Sequence, residues 1–199
     1  GIAKSQEEMD AHLAKVDQSS VGTNWGVGDI MYADLDGDGK ISNGTNKLGD
    51  TGDYRIIGNS TPRFKYGITL DAAWKGFDFS IFMQGIGKRD LWLDGCYFWG
   101  ANGQGNEWQS TGFAEHWDFF RPEGDPLGAN LNSYYPRVNF SGDRNTKVQT
   151  RYLQNGAYLR LKNVQLGYTL PRVWTEKAGI SSVRVYAVSY THLRAHETR

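Results

Sequence analysis

Side chains alternate between two faces over eleven residues in Phe64-Lys65-Tyr66-Gly67-Ile68-Thr69-Leu70-Asp71-Ala72-Ala73-Trp74. A period of two is that of a β-strand, whose successive side chains point to opposite sides. Lys75-Gly76 has the composition of a two-residue turn. The return strand then places Phe77, Phe79, Ile81 and Met83 on one face and Asp78, Ser80, Phe82 and Gln84 on the other. The stretch therefore predicts a long β-hairpin with an aromatic pair at its turn.

Two all-β architectures accommodate such a hairpin. In a soluble sandwich the apolar face would be turned inward, whereas in a transmembrane barrel it would face lipid and the polar face would line the lumen. The strand length, the tight turn and the flanking aromatic residues Trp74 and Phe77 favour the barrel. The alternation by itself leaves both architectures open.

A second ordered region follows Arg151 and ends at Pro171, which would stop a strand. Leu159 and Leu161 occupy odd positions, but Val164, Leu166, Tyr168 and Leu170 occupy even ones. This change of phase predicts a β-bulge at Lys162-Asn163. A polar turn from Arg172 to Ser182 leads to a last strand, in which Val183, Val185 and Ala187 alternate with Arg184 and Tyr186.

Composition limits the classes of function. The 199 residues carry 22 basic and 22 acidic side chains, so no nucleic-acid partner is indicated. Cys96 is the only cysteine, which excludes an intrachain disulfide framework and a thiolate zinc cluster. No apolar run approaches the roughly 18 residues of a membrane-spanning helix, although a barrel strand crosses in about 10. The chain begins at Gly1 and shows no signal peptide, so we expect it to be a fragment of a larger protein.

The N-terminal segment predicts a short helix and a short strand. Ser5 and Glu8 form a capping-box pattern, and Met9, Leu13 and Val16 follow at helical spacing. The apolar triplet Ile30-Met31-Tyr32 predicts a strand that leads into an acidic loop.

That loop reads Asp34-Leu35-Asp36-Gly37-Asp38-Gly39-Lys40-Ile41-Ser42. Carboxylates at positions 1, 3 and 5 and a backbone carbonyl at position 7 are the first half of a calcium-loop pattern. Gly39 would permit the sharp reversal, Lys40 would present its carbonyl, and Ile41 would anchor the loop. Thr45 stands where a bidentate acid is expected at position 12. The competing interpretation is an Asp/Gly turn with solvated carboxylates.

Residues 85–150 show no sustained alternation and predict a functional loop region of about 60 residues. Aromatic residues stand there among Gly, Asn, Gln and Asp. Their faces could stack on sugar rings, which makes Trp92, Trp99, Trp108 and Trp117 candidates for substrate binding, together with Tyr97, Tyr134 and Tyr135. The alternative is that they pack the loops against one another and against a partner protein.

Several motifs together resemble the C-terminal region of the SusC/RagA family of TonB-linked outer-membrane transporters. The most specific is Tyr158-Leu159-Arg160-Leu161-Lys162-Asn163-Val164-Gln165-Leu166-Gly167-Tyr168-Thr169-Leu170-Pro171. The others are Gly28-Asp29-Ile30 through Ile41, Ile56-Ile57-Gly58, Pro62, Tyr66-Gly67, Lys75-Gly76-Phe77-Asp78-Phe79-Ser80, His116-Trp117 and Tyr135-Pro136-Arg137.

The resemblance implies an all-β fold, namely the last strands and long extracellular loops of a 22-stranded transmembrane β-barrel of Bacteroidetes-type bacteria. It also implies import of oligosaccharides, or of other oligomers such as peptides, with a SusD-like surface lipoprotein. Energy would come from the TonB complex through regions absent from this chain. The expected location is the outer membrane, in contact with lipid, and no enzymatic activity is expected.

The family pattern also completes the acidic loop. It ends the loop with an Asp immediately before Ile-Ile-Gly, which matches Asp53 here after an insertion covering Asn43 to Gly52. The implied metal set is therefore Asp34, Asp36, Asp38, Lys40 and Asp53, with Asp50 as a competing acid. The expected ion is a structural Ca²⁺.

The resemblance predicts three segments: residues 1–29 as a loop segment with a short helix, 30–188 as barrel, and 189–199 as a tail foreign to the family. The tail resembles a translated sequencing adaptor, so His192, His196 and Glu197 are not expected to bind a metal. The main alternative function is a secreted, calcium-dependent carbohydrate-binding β module. A glycoside hydrolase would need a facing carboxylate pair, for which Glu107 and Glu115 are candidates.

Overall fold

The computed structural model describes residues 1–45, 47–103, 112–140 and 142–190. The chain forms two compact units. The loop unit comprises Gly1–Ile57 and Trp92–Leu153, and the sheet unit comprises Gly58–Leu91 and Gln154–Arg199. No helix of the described residues is long and apolar enough to cross a membrane.

The sheet unit contains a four-stranded antiparallel sheet in the order β1-β2-β5-β6. Its strands are β1 (Arg63–Trp74), β2 (Phe77–Lys88), β5 (Tyr158–Thr169) and β6 (Arg184–Ser189). A separate pair joins β3 (Asp90–Leu91) to β4 (Gln154–Asn155). The predicted hairpin is confirmed: Trp74 pairs with Phe77 across Lys75 and Gly76. Both turn residues have positive φ, as a turn that matches the strand twist requires.

The predicted bulge in β5 is also confirmed. Phe82 pairs with Asn163 and the next residue, Met83, pairs with Leu161, so Lys162 is the extra residue. The bulge keeps Leu161 and Val164 on the same face although they are three positions apart.

One face of this sheet is apolar across all four strands. Residues paired across strands share a face, and the register therefore aligns apolar rows that continue from β1 to β6. The rows are Ile68–Met83–Leu161, Leu70–Ile81–Val164, Ala72–Phe79–Leu166–Ala187 and Trp74–Phe77–Tyr168–Val185. Most of these large side chains are exposed or half-buried, so the sheet unit leaves this face largely uncovered.

The opposite face carries the polar positions, and an ion pair crosses it. Arg184 of β6 reaches Asp78 of β2 over the intervening strand β5, with its Nε 3.1 Å from Oδ1. The pair passes above Gly167, where a Cβ would lie only 2.4 Å from the same Oδ1. Glycine at this position therefore makes room for the bridge.

Several boundaries differ from the sequence prediction. Strand β2 continues four residues beyond Gln84 to Lys88, so the loop region begins later than predicted. The predicted polar turn after Pro171 contains a short helix α3 (Arg172–Thr175) and a 3-10 turn at Glu176–Ala178. Ser189, assigned to the foreign tail, still pairs with Val164 in β6. His192, His196 and Glu197 lie outside the described residues.

The loop unit begins with α1 (Gln6–Leu13), as predicted. The Ser5 side chain accepts a hydrogen bond from the Glu8 backbone N–H at 3.2 Å, but Glu8 returns its carboxylate to the N–H of Lys4. The predicted strand at Ile30-Met31-Tyr32 is wrong. Apart from one isolated bridge at Ile30, these backbone groups bond to side chains, because Asn145 and Gln18 accept from the N–H groups of Ile30 and Tyr32.

Aromatic rings form the core of the loop unit. Trp99, Tyr135 and Tyr152 are buried around Ile30, and the rings of Trp99 and Tyr152 meet edge to face at 4.7 Å. Partly buried rings pack around them: Tyr32, Trp92, Phe98, Phe119 and Tyr134. The long connection is therefore ordered by its own core and includes α2 (Cys96–Trp99) and 3-10 turns at Ala114–Trp117 and Thr150–Tyr152.

Candidate functional site

Three carboxylates converge in the acidic loop of the loop unit. Asp34, Asp36 and Asp53 each offer an oxygen, and the three oxygens lie within 4.8 Å of one another. Carboxylate oxygens are the ligands that Ca²⁺ takes in proteins. The donor set therefore fits a calcium ion.

Backbone N–H groups position the first of these carboxylates. Asp34 accepts from Gly37 at 2.6 Å and from Gly39 at 2.9 Å. Both glycines have φ near +80°, which side chains other than glycine rarely tolerate. As predicted, the loop reverses at Gly39, and Ile41 is buried beneath it.

Asp53 closes the loop from the far side of the insertion. Its Oδ1 accepts from the Leu35 N–H at 2.6 Å, and its Oδ2 accepts from the Ser42 N–H at 2.7 Å. Asp50 does not take part, because its carboxylate accepts from the N–H and hydroxyl of Thr45. Of the two competing acids, the structure thus brings Asp53 into the cluster.

The remaining two predicted ligands are not part of the three-carboxylate group. Asp38 turns its Oδ1 to the N–H of Lys40 at 2.8 Å, and Asp38 is exposed. Lys40 contributes only its backbone to the predicted set, in a short parallel bridge with Asp17.

The electrostatics of the cluster are those of like charges held together. The pKa of Asp36 lies above its usual value: the Asp38 N–H lowers it, but desolvation and repulsion from Asp38, Asp53 and Asp34 outweigh that effect. By contrast, the N–H groups of Gly39 and Gly37 lower the pKa of Asp34. A divalent cation would relieve the repulsion at Asp36.

The four tryptophans predicted to bind substrate differ in exposure. Trp99 is only 2% exposed and belongs to the aromatic core, which favours the packing interpretation for this residue. Trp92 is half-buried with its ring 5.7 Å from that of Trp99, and Trp117 is 57% exposed. Trp108 and Glu107 lie outside the described residues.

The sequence did not indicate a buried ionic network around Asp29. This residue is fully buried and accepts from Arg137, from the Asn145 amide and from the Gly26 N–H. Arg144 lies nearby, with its Nε 3.7 Å from Oδ2. The network joins Gly28-Asp29-Ile30 to Tyr135-Pro136-Arg137, two of the motifs that carry the family resemblance.

Two curated relatives match this chain. It is 32% identical over 160 residues to TonB-dependent receptor P3 of Formosa agariphila, covering 80% of the chain and 14% of the relative. It is 30% identical over 194 residues to TonB-dependent receptor P26 of the same organism, covering 96% of the chain and 16% of the relative. No protein-family model matches.

Solved structures show the same fold. The RagAB peptide transporter aligns with a TM-score of 0.55 at 24% identity, over 73% of this chain and 15% of that one. The closed-closed state of the RagAB peptide importer aligns with a TM-score of 0.55 at 21% identity, over 85% and 17%. The chain is part of a SusC/RagA-type TonB-dependent receptor.

This receptor segment spans about one sixth of the length of the relatives that it matches. Its sheet corresponds to a piece of a transporter barrel, and the all-β prediction is confirmed. The apolar rows on one face and the Asp78–Arg184 pair on the other fit a barrel wall in which outward and inward positions alternate.

Proposed function

We propose that the complete receptor containing this chain imports nutrient oligomers across the outer membrane, with oligosaccharides as cargo and peptides as the alternative. Import draws energy from the TonB complex, and a SusD-like surface lipoprotein is its partner. The observation that carries the proposal is the continuous apolar face of the four-stranded sheet. Such a face, opposite a polar one, is the signature of a wall between lipid and lumen.

Fractionation tests the membrane part of this proposal. The complete receptor should sediment with outer membranes and require detergent for extraction. A receptor that fractionates as a soluble species without detergent would refute it and favour the secreted calcium-dependent carbohydrate-binding module.

Growth of a deletion strain tests the transport part. The strain should fail to grow on the oligosaccharide or peptide that is the cargo, yet grow normally on the corresponding monomer, which does not need the receptor. Loss of TonB should reproduce the defect. Unchanged growth on every oligomer tested would contradict import.

We also propose that the acidic loop binds one structural Ca²⁺. Asp34, Asp36 and Asp53 would supply carboxylate oxygens, and the ion would cross-link the two sides of the loop. The Asp38 side chain and the Lys40 carbonyl complete the set expected from the loop pattern.

A calcium titration of the detergent-solubilised receptor tests this site. Asp36→Asn combined with Asp38→Asn should remove one binding step. Asp50→Asn is the matched control, because Asp50 bonds to Thr45 within the same loop and lies outside the cluster. Equal titrations for the double variant and wild type would refute the site.

A further inference from the structure

A small open pocket lies in the loop unit beside the 3-10 turn at Ala114–Trp117. It has a volume of about 210 Å³. Trp99, Asn102 and Tyr135 form a buried floor, and the exposed rings of Phe113 and Trp117 form the rim. Pockets for drug-sized ligands usually hold about 300–1,000 Å³, so this one has room for a single ring-sized group.

The rim is held in place by His116. Its Nδ1 accepts from the Phe113 N–H at 2.9 Å, and its Nε2 lies 3.1 Å from the carbonyl oxygen of Phe98. This pattern requires a proton on Nε2 and none on Nδ1. The ring also packs against Gly100, where a Cβ would lie 2.8 Å from Nδ1. The pocket is therefore preorganised by bonds within the chain.

The lining combines apolar rings with one unused donor. None of the described lining residues is Lys, Arg, Asp or Glu. Trp99 is buried, and its Nε1–H has no hydrogen-bond partner in the described part of the chain. A buried N–H without an acceptor is costly, so a ligand that brings a neutral oxygen into the pocket gains affinity there.

We propose that this pocket binds one neutral pyranose ring of an oligosaccharide. The C–H face of the sugar packs on Trp117 and Phe113, and a ring hydroxyl accepts from Trp99 Nε1–H. An acidic sugar finds no cation in the lining, and an aliphatic peptide side chain leaves the donor unpaired. The inference rests on the proposed function and specifies its cargo as a neutral glycan.

Saturation-transfer NMR on the complete receptor in detergent tests the pocket. The probes are the methyl glycosides of glucose, galactose and mannose, the methyl glycoside of glucuronic acid, and N-acetyl-tyrosinamide. At least one neutral glycoside should bind, while the glucuronide and the tyrosine amide should not.

Three variants assign that binding to the pocket. Trp117→Ala should abolish the signal by removing an exposed wall without touching the core. Trp99→Phe keeps a ring but removes the donor, and should weaken binding by about fivefold, the value of one hydrogen bond. Trp174→Ala is the control, because Trp174 is similarly exposed but belongs to the sheet unit.

Each other outcome overturns the assignment. Failure of every neutral glycoside to bind excludes a sugar site, binding of the tyrosine amide alone indicates a peptide site, and equal binding by Trp117→Ala places the sugar elsewhere. A receptor that supports growth on an oligomer but binds no glycoside refutes this inference and leaves transport intact. Glycoside binding without any growth defect refutes transport instead.

Discussion

Arg137 grips Asp29 with two hydrogen bonds, from Nε at 2.7 Å and from Nη2 at 2.6 Å, across 108 residues of chain. The Asp29 side chain is fully buried, whereas that of Arg137 is 33% exposed. Arg137 also donates to the carbonyl oxygen of Asn24, so one guanidinium fixes the backbone before and at the motif that starts the acidic loop segment. The contact shows why these two distant motifs occur in one loop unit.

Arg137→Ala should destabilise the loop unit by about 3 kcal/mol, because removal of one partner leaves a buried charge poorly compensated. Hydrogen exchange of the complete receptor should show faster exchange at Gly28 and Ile30. Lys147→Ala is the control, since the Lys147–Asp143 pair is exposed and should contribute at most about 0.5 kcal/mol. Equal protection in the two variants would contradict a structural role for the Asp29 network.

The acidic loop should respond to pH in opposite ways at two of its carboxylates. Because repulsion and desolvation raise the pKa of Asp36, its ionisation destabilises the calcium-free loop once the pH exceeds the unfolded value of about 3.9. Asp36→Asn should therefore increase hydrogen-exchange protection of residues 34–53 in EDTA at pH 7. The gain should disappear below about pH 4.

Asp34 provides the matched comparison. The Gly39 and Gly37 N–H groups lower its pKa, so its ionised form stabilises the loop above the unfolded pKa and this stability is lost as the pH falls. Asp34→Asn should accordingly decrease protection at pH 7. Changes of the same sign for both variants would show that the two carboxylates do not differ in this way.

Gly167→Ala should destabilise the sheet by about 1–3 kcal/mol, because the new Cβ overlaps the Asp78 carboxylate that bridges to Arg184. Urea unfolding of the receptor in detergent gives the measurement. In an Asp78→Ala background the overlap is gone, so the same substitution should cost much less. Additive costs in the double variant would mean that Gly167 is needed for another reason.

Deletion of Lys162 should be tolerated. Lys162 is the unpaired residue of the bulge, and without it Asn163 and Leu161 would become neighbours that already pair with Phe82 and Met83 on alternate faces. Deletion of Gln165 should instead move every residue on one side of the gap to the wrong face. The shift of the folded receptor band on heating in SDS gels distinguishes the two. Loss of the folded band in both deletions would contradict the assigned register.

Sequence periodicity predicted the sheet well because a wall with one apolar face needs the alternation along its whole length. The hairpin from Arg63 to Lys88 and the bulge at Lys162 both followed from the phase of apolar residues. The end of β2 was missed because Gly85 and Gly87 interrupt that pattern. At Gly85 the ring of Tyr66 takes the space that a side chain would fill.

The loop unit was less predictable because long-range side-chain bonds hold it. The apolar triplet at Ile30 looked like a strand, yet the Ile30 N–H is satisfied by Asn145, 115 positions away. Nothing in local periodicity reveals such a partner. The three acids of the metal cluster were named in advance because their spacing reflects ligand geometry, whereas His116 offered only its place in a family motif.

The insertion between Ser42 and Asp53 leaves and re-enters the loop at a neck that is clamped on both sides. The Asp53 N–H donates to the Ser42 carbonyl oxygen at 2.9 Å while the Asp53 carboxylate accepts from Ser42 in return. Gly44 and Gly52 meet there so closely that a Cβ on either would overlap backbone atoms of the other. Residues between them, with Leu48 fully exposed at the tip, can change without disturbing the carboxylates. An epitope or a fluorophore attached at Leu48 would therefore report on the receptor in living cells while leaving the acidic loop as it is.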